Sequence, residues 1–333
     1  MRGGSGRRLL VDEGSAQIWM TIWRQVPRRR RSLATSAEAT SPVRGIARRR
    51  GPPEVRPRTI PRMRDEAGWL EVGDRVYTRR YRFYDQQIGV VVGDGEALVI
   101  DTRSSPGQAR ELIADIGRLT PFPVRQVVDT HWHYDHLFGN HDFRPATIWG
   151  HERCRSRLLE NGERQRARVA ETEPALAAAL ESLVIDPPDR TFDPATTVEV
   201  GGRRVELAYL GRGHTDADVI VVVPDAAILF AGDLLENDAV PYFGDAYPLE
   251  WPATVGWLLD LVSGPVVPGH GSIGDRAFVE RQLADFDAVA AVARRLHTGE
   301  LSRAAALAAM PYDPSSSIEP LDRALAQLRG ELD

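Results

Sequence analysis

Four potential metal donors crowd into six residues of this chain: His131, His133, Asp135 and His136, in the run Thr130-His131-Trp132-His133-Tyr134-Asp135-His136. Three more stand singly in Gly-bearing segments, His214 in Gly213-His214-Thr215, Asp233 in Ala231-Gly232-Asp233 and His270 in Pro268-Gly269-His270-Gly271. Imidazole nitrogens mixed with carboxylate oxygens suit Zn²⁺ or a similar first-row ion, and seven donors exceed what one tetrahedral centre accepts. The economical reading is two divalent metal ions sharing a ligand. The fold must then bring segments from residue 131 to residue 270 to one point.

His131 and His133 are two apart, so on an extended turn they face one side and with His214 make one set. Asp135, His136 and His270 make the other, and Asp233, with two carboxylate oxygens, bridges both. Zn²⁺ is the simplest occupant, with Fe or Mn compatible. Such a pair lowers the pKa of a shared water toward neutrality and holds a carbonyl oxygen. A metal-bridged hydroxide can then attack an ester, thioester, lactone or amide, with Asp135 passing a proton to the leaving group. No further nucleophile is needed, which agrees with the lack of a Gly-x-Ser-x-Gly elbow. Ordinary structural histidines are the bland alternative, but five of the eight His residues fall in the pattern.

Residues 124–128 are a short β-branched apolar run, read as a buried strand, and the His cluster follows at its carboxyl end, where α/β folds place ligands. Upstream, residues 69–83, 88–92 and 97–100 suggest an antiparallel meander, and 106–119 a helix with apolar positions at 109, 112, 113, 116 and 119. Residues 151–184 read as a solvated helical cover over the site. A second block of strands covers 197–200, 203–210, 219–223 and 228–230, with His214 and Asp233 just beyond strand ends. A helix at 251–262, a short strand at 266–267 and a helix at 275–296, striped at 279, 283, 286, 290 and 293, follow. Helices at 300–309 and 318–329 close the chain. Two halves of strands followed by helices imply an α/β fold of four layers, an αββα sandwich with the site at one rim. The expected layout is an Arg-rich extension over 1–62, the main domain over 63–297 and a helical extension over 298–333.

The net charge of −5 hides an asymmetry: residues 1–62 hold 15 Arg against four acids, leaving 27 Arg against 43 acids, net −16, for the rest. An acidic domain repels polyanions, so a small-molecule substrate is expected and nucleic acid disfavoured. Residues 1–62 have no sustained apolar period and read as disordered, apart from a brief helix at 15–26. They superficially resemble an organelle transit peptide; a basic tail, or residues upstream of a start at Met63, are the other readings. The lone Cys154 excludes an internal disulfide framework and fits a reducing, cytoplasmic setting. No run approaches the roughly eighteen apolar residues of a membrane span, so no membrane partner is expected, and oligomeric state is left open.

The constellation resembles the metallo-β-lactamase superfamily, from about residue 70 to about 273. His131-x-His133-x-Asp135-His136 matches its signature, and His214, Asp233 and His270 match its later metal motifs. The resemblance implies that Asp101, in Val99-Ile100-Asp101-Thr102, orders the metal loop from behind; capping the following helix is the simpler role. An acid at 233 looks like glyoxalase II and lactonases, whereas zinc β-lactamases do not usually carry Asp there. The 36 residues between Asp233 and His270 leave no room for the domain inserted in nucleic-acid-processing members.

Two other reactions compete. Persulfide dioxygenases look similar in the first motif and use one iron on two His and a carboxylate, here His131, His214 and Asp233. A phosphodiesterase or nuclease would use the Arg-rich tail, against the charge of the domain. Tyr242, Phe243, Tyr247 and Trp251 either wall a pocket beside the metals or pack a loop. Trp132 and Tyr134 support the metal loop or face substrate, and His141, His151 and His297 are read as structural.

Overall fold

The computed structural model describes residues 68–332, so the expectations for the first sixty-two residues lie outside it. Strands β1 (Leu70–Gly73), β2 (Val76–Tyr81), β3 (Gln86–Val92) and β4 (Ala97–Ile100) form the expected antiparallel meander. The first of the three runs expected there is split by a turn at Asp74-Arg75, where Arg75 takes a left-handed φ of 53°. Helix α1 (Pro106–Leu119) has Ser105 accepting from the Gln108 amide and Pro at its first position, both start signals. It turns Ala109, Leu112 and Ile116 inward. Then come β5 (Val124–Val128), the short α2 (Tyr134–Leu137), β6 (Thr147–His151), α3 (Glu152–Thr172), α4 (Pro174–Leu180) and β7 (Arg190–Phe192).

The second half runs β8 (Ala195–Val200), β9 (Arg203–Tyr209), β10 (Val219–Val223), β11 (Ile228–Glu236), α5 (Trp251–Leu261), β12 (Val266–His270), α6 (Arg276–His297), α7 (Arg303–Ala309) and α8 (Ile318–Leu328). Hydrogen bonds link the strands in the order β7-β6-β5-β4-β3-β12-β11-β10-β9-β8. The β3–β12 joint is a single pairing, His270 opposite Gln86. It is a seam about which the sheet folds into two facing leaves.

Side-chain alternation shows why the leaves pack. In β4, Leu98 and Ile100 enter a cluster with Val205, Val221 and Phe230 from the other half, while Ala97 and Val99 face α1. In β11, Ile228 and Phe230 face the same inter-sheet cluster, and Leu229 and Ala231 face α5 and α6. Strands buried on both faces read as continuous apolar runs, as these do. The layers are helix, sheet, sheet, helix, the four-layer αββα sandwich. Helices α7 and α8 bury Ala306, Leu321 and Ala324 in the cluster of the outer helices.

Four strands outrun their sequence boundaries, β3 and β8 by two residues at their starts and β11 and β12 at their ends, and the last two corrections bear on the site. β11 continues past residue 230 to Glu236, so Asp233 lies within a strand and not beyond one. The cause is a bulge: the pairing with β12 shifts register on either side of Gly232, which takes a φ of 53°. Added turn in the strand re-aims the following side chain. β12 likewise runs through Pro268 and Gly269, so His270 ends a strand instead of sitting in a turn after it.

Trp251 is fully buried, stacked 4.3 Å from Phe286, with its indole N–H donating to the Leu234 carbonyl. Truncation to alanine is expected to cost about 3–5 kcal/mol in denaturant unfolding. Leu159→Ala, on the exposed face of α3, should stay within about 0.5 kcal/mol. Equal losses for the two variants would contradict the packing described.

Candidate metal centre

All seven predicted donors meet at the rim where the leaves join. They form two adjoining groups, His131, His133, His214 and Asp233 in one and Asp135, His136 and His270 in the other, each with ligand atoms within 4.8 Å of one another and able to hold a metal ion. In the first, His133 Nδ1 lies 3.0 Å from His131 Nε2 and 2.8 Å from His214 Nε2. In the second, Nε2 of His136 and of His270 are 3.2 Å apart, each 3.4 Å from Asp135 Oδ2. Asp233 reaches both: Oδ2 is 3.6 Å from His131, 3.5 Å from His214 and 3.3 Å from His270, while Oδ1 is 3.3 Å from His136.

The outer edge of every ring is already satisfied. His214 Nδ1 donates to the Tyr242 carbonyl at 3.2 Å and His270 Nδ1 to the Tyr84 carbonyl at 2.6 Å. His136 Nδ1 donates to Asp101 Oδ2 at 2.8 Å, and His133 Nε2 to the Asp245 carboxylate at 3.0 and 3.1 Å. Thr130 Oγ1 donates to Asp101, which leaves its lone pair for His131 Nδ1 at 3.1 Å. Rings that donate outward present bare nitrogens inward. Bare nitrogens this close repel unless a positive charge lies among them. Asp233 Oδ1 is buried and has no hydrogen-bond partner, which fits an oxygen reserved for a cation.

Without a cation, protons must supply that charge. Burial disfavours charged His136 and His270, but Asp233 and Asp135 beside them outweigh it and push both imidazoles well above their ordinary value. Burial and the neighbouring imidazolium of His136 push His131 down, and burial brings His214 to about 4. Burial also opposes ionisation of Asp245, yet His133, His214 and Arg323 hold it down to about 2.

Local backbone makes this convergence work. Asp101 is no cap, since Ser105 caps α1; it is buried, adopts a φ of 66°, and its Oδ1 accepts from the Thr130 amide at 2.9 Å. It thus ties the His loop to the end of β4. A Cβ on Gly269 would lie 1.8 Å from Asp233 Oδ1, so only glycine fits there. Gln86, the β3 residue at the seam, donates its side-chain amide to the Asp135 carbonyl.

Asp245, and the carbonyls of Tyr84 and Tyr242, carry no spacing signal and were not anticipated. Of the four candidate wall aromatics, Phe243, Tyr247 and Trp251 are buried core. Trp251 also packs behind the site, its ring 5.8 Å from that of His214, while Tyr242 is the exposed one of the four, at 44%, its ring 6.1 Å from those of His133 and His214. Trp132 and Tyr134 pack partly against the cluster under α3 and α4 and so support the loop. Tyr134 also meets Tyr84 edge-on at 6.0 Å. His151 accepts from the Arg153 amide to start α3, and His141 faces Asp186 at 3.3 Å. Among the described residues no helix is long and apolar enough to cross a membrane.

Comparison with known proteins points the same way. The chain is 27% identical over 201 residues to a metallo-beta-lactamase type 2 of Bacillus cereus, covering 59% of this chain and 71% of that protein. It is 25% identical over 232 residues to the Bacteroides fragilis enzyme of the same name, covering 65% and 84%. A linear primary-alkylsulfatase of a Pseudomonas strain matches at 23% over 224 residues, covering 56% of this chain but only 42% of that protein. The solved structure of a metallo-beta-lactamase from Pontibacter korlensis superposes with a TM-score of 0.55 at 25% identity, over 66% of this chain and 98% of that one. The model of the metallo-beta-lactamase superfamily matches residues 81–272, more than half of the chain, and the protein belongs to that superfamily.

Proposed function

We propose that this protein is a dinuclear metal-dependent hydrolase of small substrates bearing an ester, thioester, lactone or amide carbonyl. The observation that carries the reading is the placement of Asp233, whose two oxygens face both donor groups while one of them accepts no hydrogen bond. The His-rich donor set fits Zn²⁺, with Fe or Mn as alternatives. A pair of divalent ions supplies an acidified water as nucleophile and a Lewis acid for the carbonyl oxygen. The protein's own groups divide the remaining work. Asp233 fixes the two halves of the site at one spacing, and Asp135, mostly buried but reached by solvent and bordered by His136 and His270, is placed to pass a proton to the leaving group. Asp101 and Asp245 lock the rings of His136 and His133, and Tyr242 covers the open side of the first group.

The single-iron oxidoreductase reading is less well supported. His131, His214 and Asp233 do converge, but His133 Nδ1 lies nearer to both imidazoles than the carboxylate does, filling the side an oxygenase leaves open. The alkylsulfatase relative makes a sulfate ester a sensible second substrate class. Glyoxalase II-like and lactonase-like activities stand on the acid at position 233.

Metal quantification of purified protein followed by chromogenic lactams, lactones, thioesters, carboxylic esters, sulfate esters and phosphodiesters tests this proposal. Two metal equivalents and turnover of a carbonyl substrate are expected; one iron with sulfite formation from a persulfide would overturn it. Asp233→Ala should retain at most one equivalent and lose nearly all turnover, and full activity with two equivalents would refute the bridge. Asp245→Ala is expected to weaken the equivalent held with His133 about 10–100-fold, measured against a chromophoric chelator. The sign of the pH effect follows from His136 and His270, which keep protons above the ordinary imidazole range when no cation is present. Ions must displace those protons, so affinity should fall as pH drops through neutrality, with proton release visible by calorimetry in two buffers. Affinity independent of pH would contradict these assignments.

A further inference from the structure

The last helix, α8, lies beyond the residues that match the family, yet it touches the loop that orients the first donor group. Its buried face is Pro320, Leu321 and Ala324. Arg323 and Gln327, one turn apart and only half-buried, face the loop after β11. Arg323 Nε donates to the Ala246 carbonyl at 2.7 Å. Gln327 uses both ends of its amide: the oxygen accepts from the Leu249 amide at 2.8 Å, and the nitrogen donates to Glu250 at 2.9 Å.

The clamped loop holds the outward edges of two imidazoles. Tyr242 offers its carbonyl to His214, and Asp245, adjacent to Ala246, holds His133. The same loop is tied to the His214 segment, since the Tyr247 amide donates to the Gly213 carbonyl at 2.8 Å and Glu250 takes a two-point contact from Arg212 at 2.6 and 2.9 Å. A planar group held at two points, as the Gln327 amide is by Leu249 and Glu250 and the Arg212 guanidinium by Glu250, fixes orientation as well as distance.

We infer that α8 is a structural part of the metal centre, in which Arg323 and Gln327 act as positioning residues that set His133 and His214 through the 242–250 loop. This rests on the dinuclear reading above. A helix bound only to the hydrophobic core would have no need of these three hydrogen bonds to loop groups, and removing the polar side chains leaves its apolar face in place.

The test uses the full chain carrying Arg323→Ala and Gln327→Ala together, with Arg323→Lys as the conservative variant. Zinc affinity, read by chelator competition, should fall about 10–100-fold for the equivalent held by His133 and His214 and stay unchanged for the other. Arg323→Lys, which keeps a charge and a donor, should recover most of it. Two equivalents bound with wild-type affinity would overturn the inference, as would equal weakening of both with a lowered Tm, the mark of a merely stabilising helix. Hydrogen exchange on metal-free protein decides separately: amides of residues 242–250 should exchange roughly tenfold faster in the double variant while those of α6 do not, and unchanged exchange would also overturn it. Wild-type protein that took up no metal would sink the dinuclear reading alone, because the exchange result does not depend on it.

Discussion

Five imidazoles turned so that their bare nitrogens point at one another, with a carboxylate among them, make an arrangement that only interior positive charge can hold. The outward donors to Asp101, Asp245, Thr130 and two backbone carbonyls leave the rings no other use for their inner edges. Burying a carboxylate costs several kcal/mol unless opposite charge offsets it, and Asp233, whose Oδ1 accepts no hydrogen bond, depends on imidazolium protons or a cation beside it. The left-handed Asp101 and Gly232, and the glycine forced at 269, are local costs that this convergence imposes on the backbone.

Neither half of the chain owns a complete donor set. His131, His133, Asp135 and His136 come from the loop after β5, while His214, Asp233 and His270 come from the other leaf, and each group mixes the two. The centre therefore exists only when the leaves are packed through the Leu98, Ile100 and Phe230 layer. Ions that bind the folded form alone stabilise it by mass action, so metal uptake at this site would be thermodynamically linked to folding. The seam at Gln86 and His270 is where that linkage passes from sheet pairing to the site.

Much of this was legible from residue types. Helix α1 was bounded correctly because Ser105-Pro106 starts it and its apolar spacing is regular. The convergence of the seven candidate donors was legible because His and Asp at ligand spacing have few structural uses, and the layering followed from strand-then-helix alternation in each half. The ends of β11 and β12 were placed too early, at Phe230 and Val267, since Gly232 and Pro268-Gly269 mimic turns, whereas the parallel β11–β12 pairing carries the chain on through a bulge. Asp245 was invisible because it meets His133 across 112 positions. Carbonyl partners have no sequence signature at all. The aromatic run was ambiguous for a related reason: nothing in Tyr242-Phe243 says which ring faces the core, and only the former reaches the site.

The central claim is that two ions flank Asp233. Anomalous diffraction from crystals of the zinc-loaded protein measures this most directly. The account predicts two peaks about 3.5–4 Å apart, one within coordinating distance of His131, His133 and His214 and the other of Asp135, His136 and His270, with Asp233 in contact with both. A single peak, or a pair in which Asp233 touches neither ion, would contradict it.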